Sequence, residues 1–584
     1  MDVGAGEFEE KLPKLQELIL GCDFVGLDME FTGLHSTFPP SNQHSLFDSP
    51  AECYQKARQS VQQFTVSQLG LSIFSNEKAN KYVAHSYNFF LLPMTFGQMD
   101  SEVCFQTSSI QFLSRYGFDY NKFLKDGIPY MNEAQEKKLQ QQLLPGSLMV
   151  HSAFEKDKLK KVIDEVTCWV SSAEVKDSMV LRDIYGFQVF EIQLILRRAI
   201  QDIWTIPLGG QKVMVKKMSP QHRWQLENTS YDSCRREQIL FSARGFTNLF
   251  QTLVKAKKPL VGHNMLMDLL HLHENFYKPL PENYDEFKKN IHALFPVVMD
   301  TKNIAKTTWK EFQFPRAKNL LELYKVLNGS DVNPTNQPCP EIFHASDCLR
   351  YATKESPHEA AYDAFLCGSV LLKIAHLLLD RISCDPTRTA PSFSQYLDVL
   401  AACVNQVNVI RAGVQKINFS GMDDPIKLPP LLIINVRGWP GVDEEQIYRE
   451  FKIFCRFDVR RLKRNQFLLL SNNFKNVRMV LREYKNHPNM QISPYHHWRH
   501  SPQNLWRCDL LVSAGILPWR TCQLCFISNH LLEAFLSAVC PFLPHHHCKR
   551  YLQYIKIHCI SLVVPNLCVV PNVGSAMEEQ AIVK

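Results

Sequence analysis

The sequence predicts an α/β protein: a mixed, at least partly parallel sheet flanked by helices, followed by a smaller α+β domain. Three observations predict it. Short apolar runs alternate with stretches of helical apolar spacing over the first 380 or so residues. Residues 430–495 carry part of a β-α-β-β-α-β order, the size and sequence of an RNA-recognition fold. The 584 residues, 45% apolar and 21% charged, have ordinary globular usage and can bury several cores. Collagen, coiled-coil and wholesale disordered classes are thereby excluded.

The elements follow in order. Leu12, Leu15, Leu18 and Leu20 space a helix over 7–20 with acids in its first turn. CDFVGLDMEF is a short apolar run interrupted by acids and reads as a buried strand. Further strands are expected over 69–74 and 82–92, and a helix over 133–143. From 146 to 245 the character changes. Residues 154–170 and 189–204 read as helices and QKVMVKK as a strand, which makes a compact helical α+β insertion. Its basic pairs, Arg197-Arg198 and Lys216-Lys217, read as a solvated face. PLVGH at 259–263 and the stretch 295–300 each lead from strand into helix. A long helix is expected over 357–380, with Ser356 as N-cap, Pro357 at its first position and Glu359 completing a capping box. The domain reading is therefore a core in two parts, 1–145 and 246–385, split by the insertion 146–245. A connector over 386–428, an RNA-recognition-like domain over 429–500 and a tail over 501–584 follow.

Charge and cysteine usage bound the setting. The formal net charge of +7 permits an acidic partner without requiring one. The N-terminus MDVGAGEFEE is acidic where a signal peptide needs a basic region. Seven of the 18 cysteines lie in the last 84 residues, and the remainder are sparse and unspaced, as in a reduced cytosolic protein.

The chemistry-bearing residues are carboxylates. Asp28 and Glu30 sit two apart in a strand, hence on one face. Two carboxylates on one face of an apolar strand repel each other and resist burial, and a divalent cation relieves both costs. Oxygen-only ligands favour Mg²⁺ or Mn²⁺ over Zn²⁺. Asn264 and Asp268 are four apart and would share one face of a helix. His358 and Asp363 are five apart, about 140° around a helix, and converge only if the first turn is loosened. Each pattern alone is unspecific. Asp100-x-Glu102 and Asp443-x-Glu445 repeat the first, and His263/Asp268 repeats the last. Together, in this order, four carboxylates can hold two Mg²⁺ ions roughly 3.5–4 Å apart, with an imidazole beside them to take a proton from water. That is the equipment of phosphodiester hydrolysis.

The segments DMEFTGL, SSIQFL, GFDYNKFLKDGIPYMN, LVGHNMLMD, FPVVMDTK and HEAAYDA, in that order, resemble the DEDD 3′→5′ exonucleases. Among these they are most similar to the poly(A)-specific ribonuclease family with its piRNA-trimming members. The branch is the histidine one (DEDDh), because the tyrosine branch would need Tyr where this chain has Glu359. The resemblance covers residues 1 to about 385. It implies an RNase H-like core with Asp28, Glu30, Asp268 and Asp363 as ligands of two Mg²⁺ ions, Mn²⁺ being able to substitute. It implies His358 as general base, and RNA contacts from Leu34, Ile110, Phe112, Asn264 and Lys302. Asp300 is a fifth acid nearby, but the family's spacing places the third carboxylate at Asp268.

What the resemblance implies for function is an exoribonuclease that shortens single-stranded RNA 3′ ends and releases 5′-mononucleotides. The expected substrate is Piwi-bound pre-piRNA, with a Tudor-type scaffold protein and a homodimer as expected partners. Poly(A) deadenylation is the alternative, and a non-catalytic RNA-binding adaptor the alternative of another class. Departures from the family favour trimming. The insertion lacks the spaced Arg/His pair that names the family's small nucleic-acid-binding domain, and the strands LLIIN and FLLLS carry only Phe467 as an aromatic. The run Arg460, Arg461, Lys463, Arg464 reads as a solvated face, with phosphate binding as the alternative. Trimming members end in a membrane anchor, so the expected location is cytoplasmic, on a mitochondrial or endoplasmic reticulum surface. Here 524–543 and 557–577 are apolar but interrupted by prolines and polar residues. Cys522, Cys525, Cys540, His545, His546, His547 and Cys548 form a candidate Zn²⁺ cluster without clean spacing.

Overall fold

The computed structural model describes residues 1–496 apart from 36–43, 79, 94–100, 143–155, 183, 185–187, 209–211, 228–236, 238–239, 313–316, 330–338, 383–389, 425–428, 440, 455–456 and 472. The tail, with its two apolar stretches and its Cys/His cluster, lies outside the described residues. So does Asp100.

Seven strands form the central sheet: β1 (Asp2–Val3), β2 (Phe24–Phe31), β3 (Val66–Lys78), β4 (Lys81–Phe90), β5 (Leu260–Gly262), β6 (Val298–Asp300) and β7 (Glu341–His344). Their order is β1-β4-β3-β2-β5-β6, with β7 also on β4. β2, β3 and β4 are antiparallel neighbours, while β5 joins β2 and β6 joins β5 in parallel. The strand period of two divides β2 cleanly. Val25, Leu27, Met29 and Phe31 enter one hydrophobic core, together with the helix α1 (Ala5–Gly21). Phe24 enters the other, so Asp28 and Glu30 face that second side.

Four further helices place the site. They are α2 (Thr107–Arg115), α3 (Leu266–Leu272), α4 (Thr301–Phe312) and α5 (Ala360–Ile382). Helix α5 lies on the second face of the sheet, on β2 and β3. Two glycines allow this close approach. A Cβ at Gly26 would sit 2.3 Å from the Ala364 carbonyl oxygen, and one at Gly70 2.0 Å from the Ala360 carbonyl carbon. Among the described residues α5 alone is long and apolar enough to cross a membrane, and it is a buried core helix.

The insertion is more sheet-like than expected. Helices Lys156–Ser172 and Gln188–Ala199 accompany a three-stranded antiparallel sheet of Ser178–Leu181, Lys212–Lys217 and Ile203–Leu208. The helix expected over 189–204 stops at Ala199. Its last residues, Ile203 and Trp204, open a β-branched and aromatic run that pairs as a strand instead. One residue of each basic pair is taken up by the fold, while Arg198 is exposed. Arg197 stacks 3.8 Å over the Trp204 ring and donates from Nε to Thr205 Oγ1 at 2.7 Å. Lys217 donates to the carbonyls of Val170 and Ala173.

The segment expected as a connector packs on the nuclease sheet. It forms a helix, Phe393–Val399, and a hairpin of Gln406–Asn408 with Lys416–Asn418. Val407, Val409, Ile417 and Phe419 join the core that contains α1. Beyond it, strands Leu432–Val436, Asp458–Lys463, Gln466–Leu470 and Met490–Pro494 form a four-stranded sheet, the first three paired antiparallel, with helices Glu444–Phe451 and Phe474–Glu483. This completes the β-α-β-β-α-β order. The basic run is the strand that the sequence pattern did not show. Arg460, Arg461, Lys463 and Arg464 are all exposed, as a solvated face requires, with Arg460 over the Phe47 ring at 4.7 Å and Arg461 over Phe467 at 5.5 Å. Phe467 enters the core beneath the helices, and Ile433, Leu468 and Leu470 on the opposite face are also buried. Asp458, 6% exposed, accepts from Ser45 Oγ, the Leu46 amide and Arg411 Nη2, which ties this domain to the nuclease part.

Candidate active site

Strand β2 presents Asp28 and Glu30 opposite Gly70 and Gln68 of β3. Helix α5, brought down onto those glycines, delivers Asp363 from its first turn. Helix α3 delivers Asp268, which is 6% exposed and whose Oδ1 has no hydrogen-bond partner. The four carboxylates converge. Burial holds the Asp28 carboxyl well above its ordinary range, and the charges of Asp363, Asp268 and Glu30 push it further. Glu30 is raised in the same way, by burial and then by Asp363 and Asp268. Burial pushes Asp268 and Asp363 each up to about 7. Like charges gathered in a low-dielectric place resist ionisation unless a cation joins them. The donor set is all oxygen apart from one imidazole, and one buried oxygen is unpartnered. That fits hard divalent cations of the Mg²⁺ or Mn²⁺ kind.

The histidine stands differently from expectation. Helix α5 begins at Ala360, so Ser356, Pro357 and Glu359 form no N-cap box. His358 lies in the turn before it with φ of 63°. This left-handed residue is the loosening that lets His358 and Asp363 share one place. The His358 amide donates to Asp363 Oδ2 at 3.1 Å. Ligand atoms of Glu30, His358 and Asp363 all lie within 4.8 Å of one another. Burial lowers the imidazole pKa, which keeps the ring neutral and able to accept a proton near neutrality.

The expected RNA contacts surround this group in two sets. Leu34, 44% exposed, follows β2, and its amide donates to Gln106 Oε1, the residue that precedes α2. Helix α2 carries Ile110 and Phe112, the latter 39% exposed with its ring centroid 4.6 Å from that of His358. The second set is Asn264 and Lys302. Asn264 is not on a helix face with Asp268. It precedes α3 with φ of 62°, while Met265 caps that helix. Asp300 explains the geometry. Its Oδ1 accepts from the amides of Asn264, Lys302 and Asn303, and its Oδ2 from those of Met265 and Asn408. It is a scaffold for both helix starts, and its oxygens are committed to backbone. The other D-x-E pattern within the described residues is also structural: Asp443 caps a helix and Glu445 pairs with Arg449.

Two neighbours had no sequence signal. Tyr116 brings its ring to 4.3 Å from the His358 imidazole, and Asn408 donates from Nδ2 to Asn264 Oδ1 at 2.6 Å. Each comes from a segment whose spacing carries no motif.

Residues 3–371 match the CAF1 family ribonuclease. The chain belongs to the CAF1 family of ribonucleases. As a CAF1 ribonuclease it is 61% identical to mouse Poly(A)-specific ribonuclease PNLDC1, over 89% of this chain and 98% of the relative. It is 28% identical to the Bombyx mori Pre-piRNA 3′-exonuclease trimmer, over 86% of this chain and 94% of that protein. With Xenopus laevis Poly(A)-specific ribonuclease PARN it shares 29% identity over 68% of this chain and 67% of the relative. This CAF1 protein is a 3′→5′ exoribonuclease of the DEDD type.

Proposed function

We propose that this exoribonuclease trims the 3′ ends of pre-piRNA, with Asp28, Glu30, Asp268 and Asp363 holding two divalent cations, Mg²⁺ or Mn²⁺. The observation that carries the substrate is one of extent. The similarity to the Bombyx trimmer runs along 94% of that protein, whereas only 67% of the Xenopus poly(A)-specific ribonuclease is matched. The RNA-recognition-like sheet agrees with it, since its one aromatic is buried and offers no base-stacking platform.

When bound, two such cations supply Lewis-acid stabilisation of phosphoryl charge and a more acidic water. The chain's own residues do the rest. His358, neutral near pH 7, takes the proton of the attacking water. Asp363 fixes the turn that carries it. Leu34, Ile110 and Phe112 offer apolar surface to the terminal bases. Asn264 and Lys302 lie at the starts of α3 and α4, where a positive charge and an amide can meet a phosphate. A Piwi protein would present the RNA, with a Tudor-type scaffold bringing the two together.

The test supplies 5′-labelled poly(A), and a mixed-sequence RNA held by a Piwi protein, to purified protein with Mg²⁺. Trimming predicts one-nucleotide shortening of the held RNA, abolished by Asp28→Ala. Preference for free poly(A) would favour deadenylation, the reading that the name of the mouse relative supports.

A further inference from the structure

We propose that Glu359 is a positioning residue for the exonuclease reaction: its carboxylate clamps the turn that holds His358 over the carboxylate cluster. The inference rests on the reading of His358 as proton acceptor.

The starting point is that His358 adopts φ of 63°, a conformation that side-chain-bearing residues disfavour. Such a turn persists only where its surroundings over-determine it. On its N-terminal side nothing regular holds it, since residues 354–356 lie in no helix or strand. On its C-terminal side the neighbours are held with unusual completeness. Glu359 Oε1 accepts from Asn88 Nδ2 at 2.6 Å and from Tyr351 Oη at 2.7 Å, and it pairs with Arg350. The next amide, of Ala360, donates to Gln68 Oε1 at 3.0 Å, and that of Ala361 to Asn88 Oδ1 at 2.7 Å.

Asn88 is the hinge of this arrangement. It is wholly buried on β4, and its amide works in both directions. The oxygen holds the start of α5, while the nitrogen holds the Glu359 carboxylate. The network continues outward through Asp2, which accepts from Arg350 and Lys122. A carboxylate that binds a rigid strand in this way fixes the backbone one residue from the imidazole. The Glu359 carboxylate contacts β4 and the short helix Arg350–Thr353, so on this reading it acts on the reaction through the placement of His358. Misplacing a catalytic group by about 1 Å can cut a rate about a hundredfold.

The experiment compares Glu359→Ala, Glu359→Gln, Tyr351→Phe and His358→Ala in full-length protein with Mg²⁺, by steady-state kinetics on a labelled single-stranded RNA. The expected result is a kcat for Glu359→Ala lower by about 10- to 100-fold, with KM within about 2-fold of the parent. Glu359→Gln keeps an acceptor for Asn88 and Tyr351 and should restore most of that loss. Tyr351→Phe removes one donor and should fall between them. Parental kcat in Glu359→Ala overturns the proposal. So does a joint loss of kcat and KM that Glu359→Gln fails to rescue, because that describes general structural damage. If His358→Ala itself retains the parental rate, the reading of His358 is what fails; a dead His358→Ala beside fully active Glu359 variants removes only the clamp.

Discussion

The backbone amide of His358 donates to the carboxylate of Asp363 at 3.1 Å, although five residues separate them and a regular helix would turn them to different faces. The left-handed turn at His358 makes this possible, so the proposed base and the carboxylate form one unit. Residues that act as a unit lose activity non-additively. His358→Ala is expected to slow RNA shortening by about 10²- to 10⁴-fold. The double variant with Asp363→Ala should be no slower than Asp363→Ala alone. Single-turnover assays of the three variants measure this, and multiplicative losses would refute the coupling.

Tyr116 is 48% exposed and stands 4.3 Å from the imidazole, with Phe112 at 5.0 Å from Tyr116. Aromatic contacts of this kind contribute about 0.5–1.5 kcal/mol beyond burial. Tyr116→Ala should lower kcat/KM by roughly 2- to 10-fold, while Tyr116→Phe, which keeps the ring, stays near the parent. Equal losses in both would point to the hydroxyl rather than the ring.

The glycines beneath α5 should be intolerant. Gly70→Ala places a methyl against the Ala360 backbone, which cannot swing aside as a side chain could. Overpacking of this sort destabilises by about 1–3 kcal/mol. Activity should fall more than stability, because lifting the start of α5 withdraws Asp363. Thermal unfolding and RNA shortening, measured on the same preparation, compare the two effects. A stable Gly70→Ala with parental activity would contradict the geometry.

Burial raises Asp268 and Asp363 from an ordinary value of 3.8 to about 7 in the folded chain. Without a cation, the folded state therefore holds protons that the unfolded chain has released, and these groups subtract stability as pH rises from about 4 to 7. A bound divalent cation favours the ionised forms and removes that loss above neutrality. The shift in unfolding temperature caused by Mg²⁺ should be larger at pH 8 than at pH 5.5, and smaller throughout in Asp28→Asn. Melting curves with Mg²⁺ and with chelator test this. A shift independent of pH would exclude these carboxylates as the ligands.

Much of this was legible in the sequence, and the exceptions have physical causes. The strand period alone put Asp28 and Glu30 on one face, and burial of Val25, Leu27 and Met29 on the other bears that out. The capping-box pattern at Ser356 misled because tertiary hydrogen bonds to Gln68 and Asn88 satisfy the first amides of α5 in its place. Asn264 was placed on a helix because spacing cannot reveal a left-handed residue, and here Asp300 imposes one. The strand Asp458–Lys463 was hidden by its charges, of which Arg460 and Arg461 lie over Phe47 and Phe467. Asn408 and Tyr116 were invisible because their significance is wholly long-range.

The hairpin that carries Asn408 begins 35 residues after the family match ends at residue 371. Its backbone amide closes the Asp300 carboxylate, and its side chain orients Asn264 while accepting from Lys306 at 2.6 Å. The boundary of the enzyme as a working unit is therefore not the boundary of its recognisable ancestry. A chain ending at residue 385 would keep Asp28, Glu30, Asp268 and Asp363 and still leave the Asn264 amide free to turn. Such a chain is expected to bind RNA more weakly than the full-length protein, and titration of the two with labelled RNA would show it. What reads on paper as a tether between domains is a brace, arriving late in the chain, for a residue expected to touch RNA.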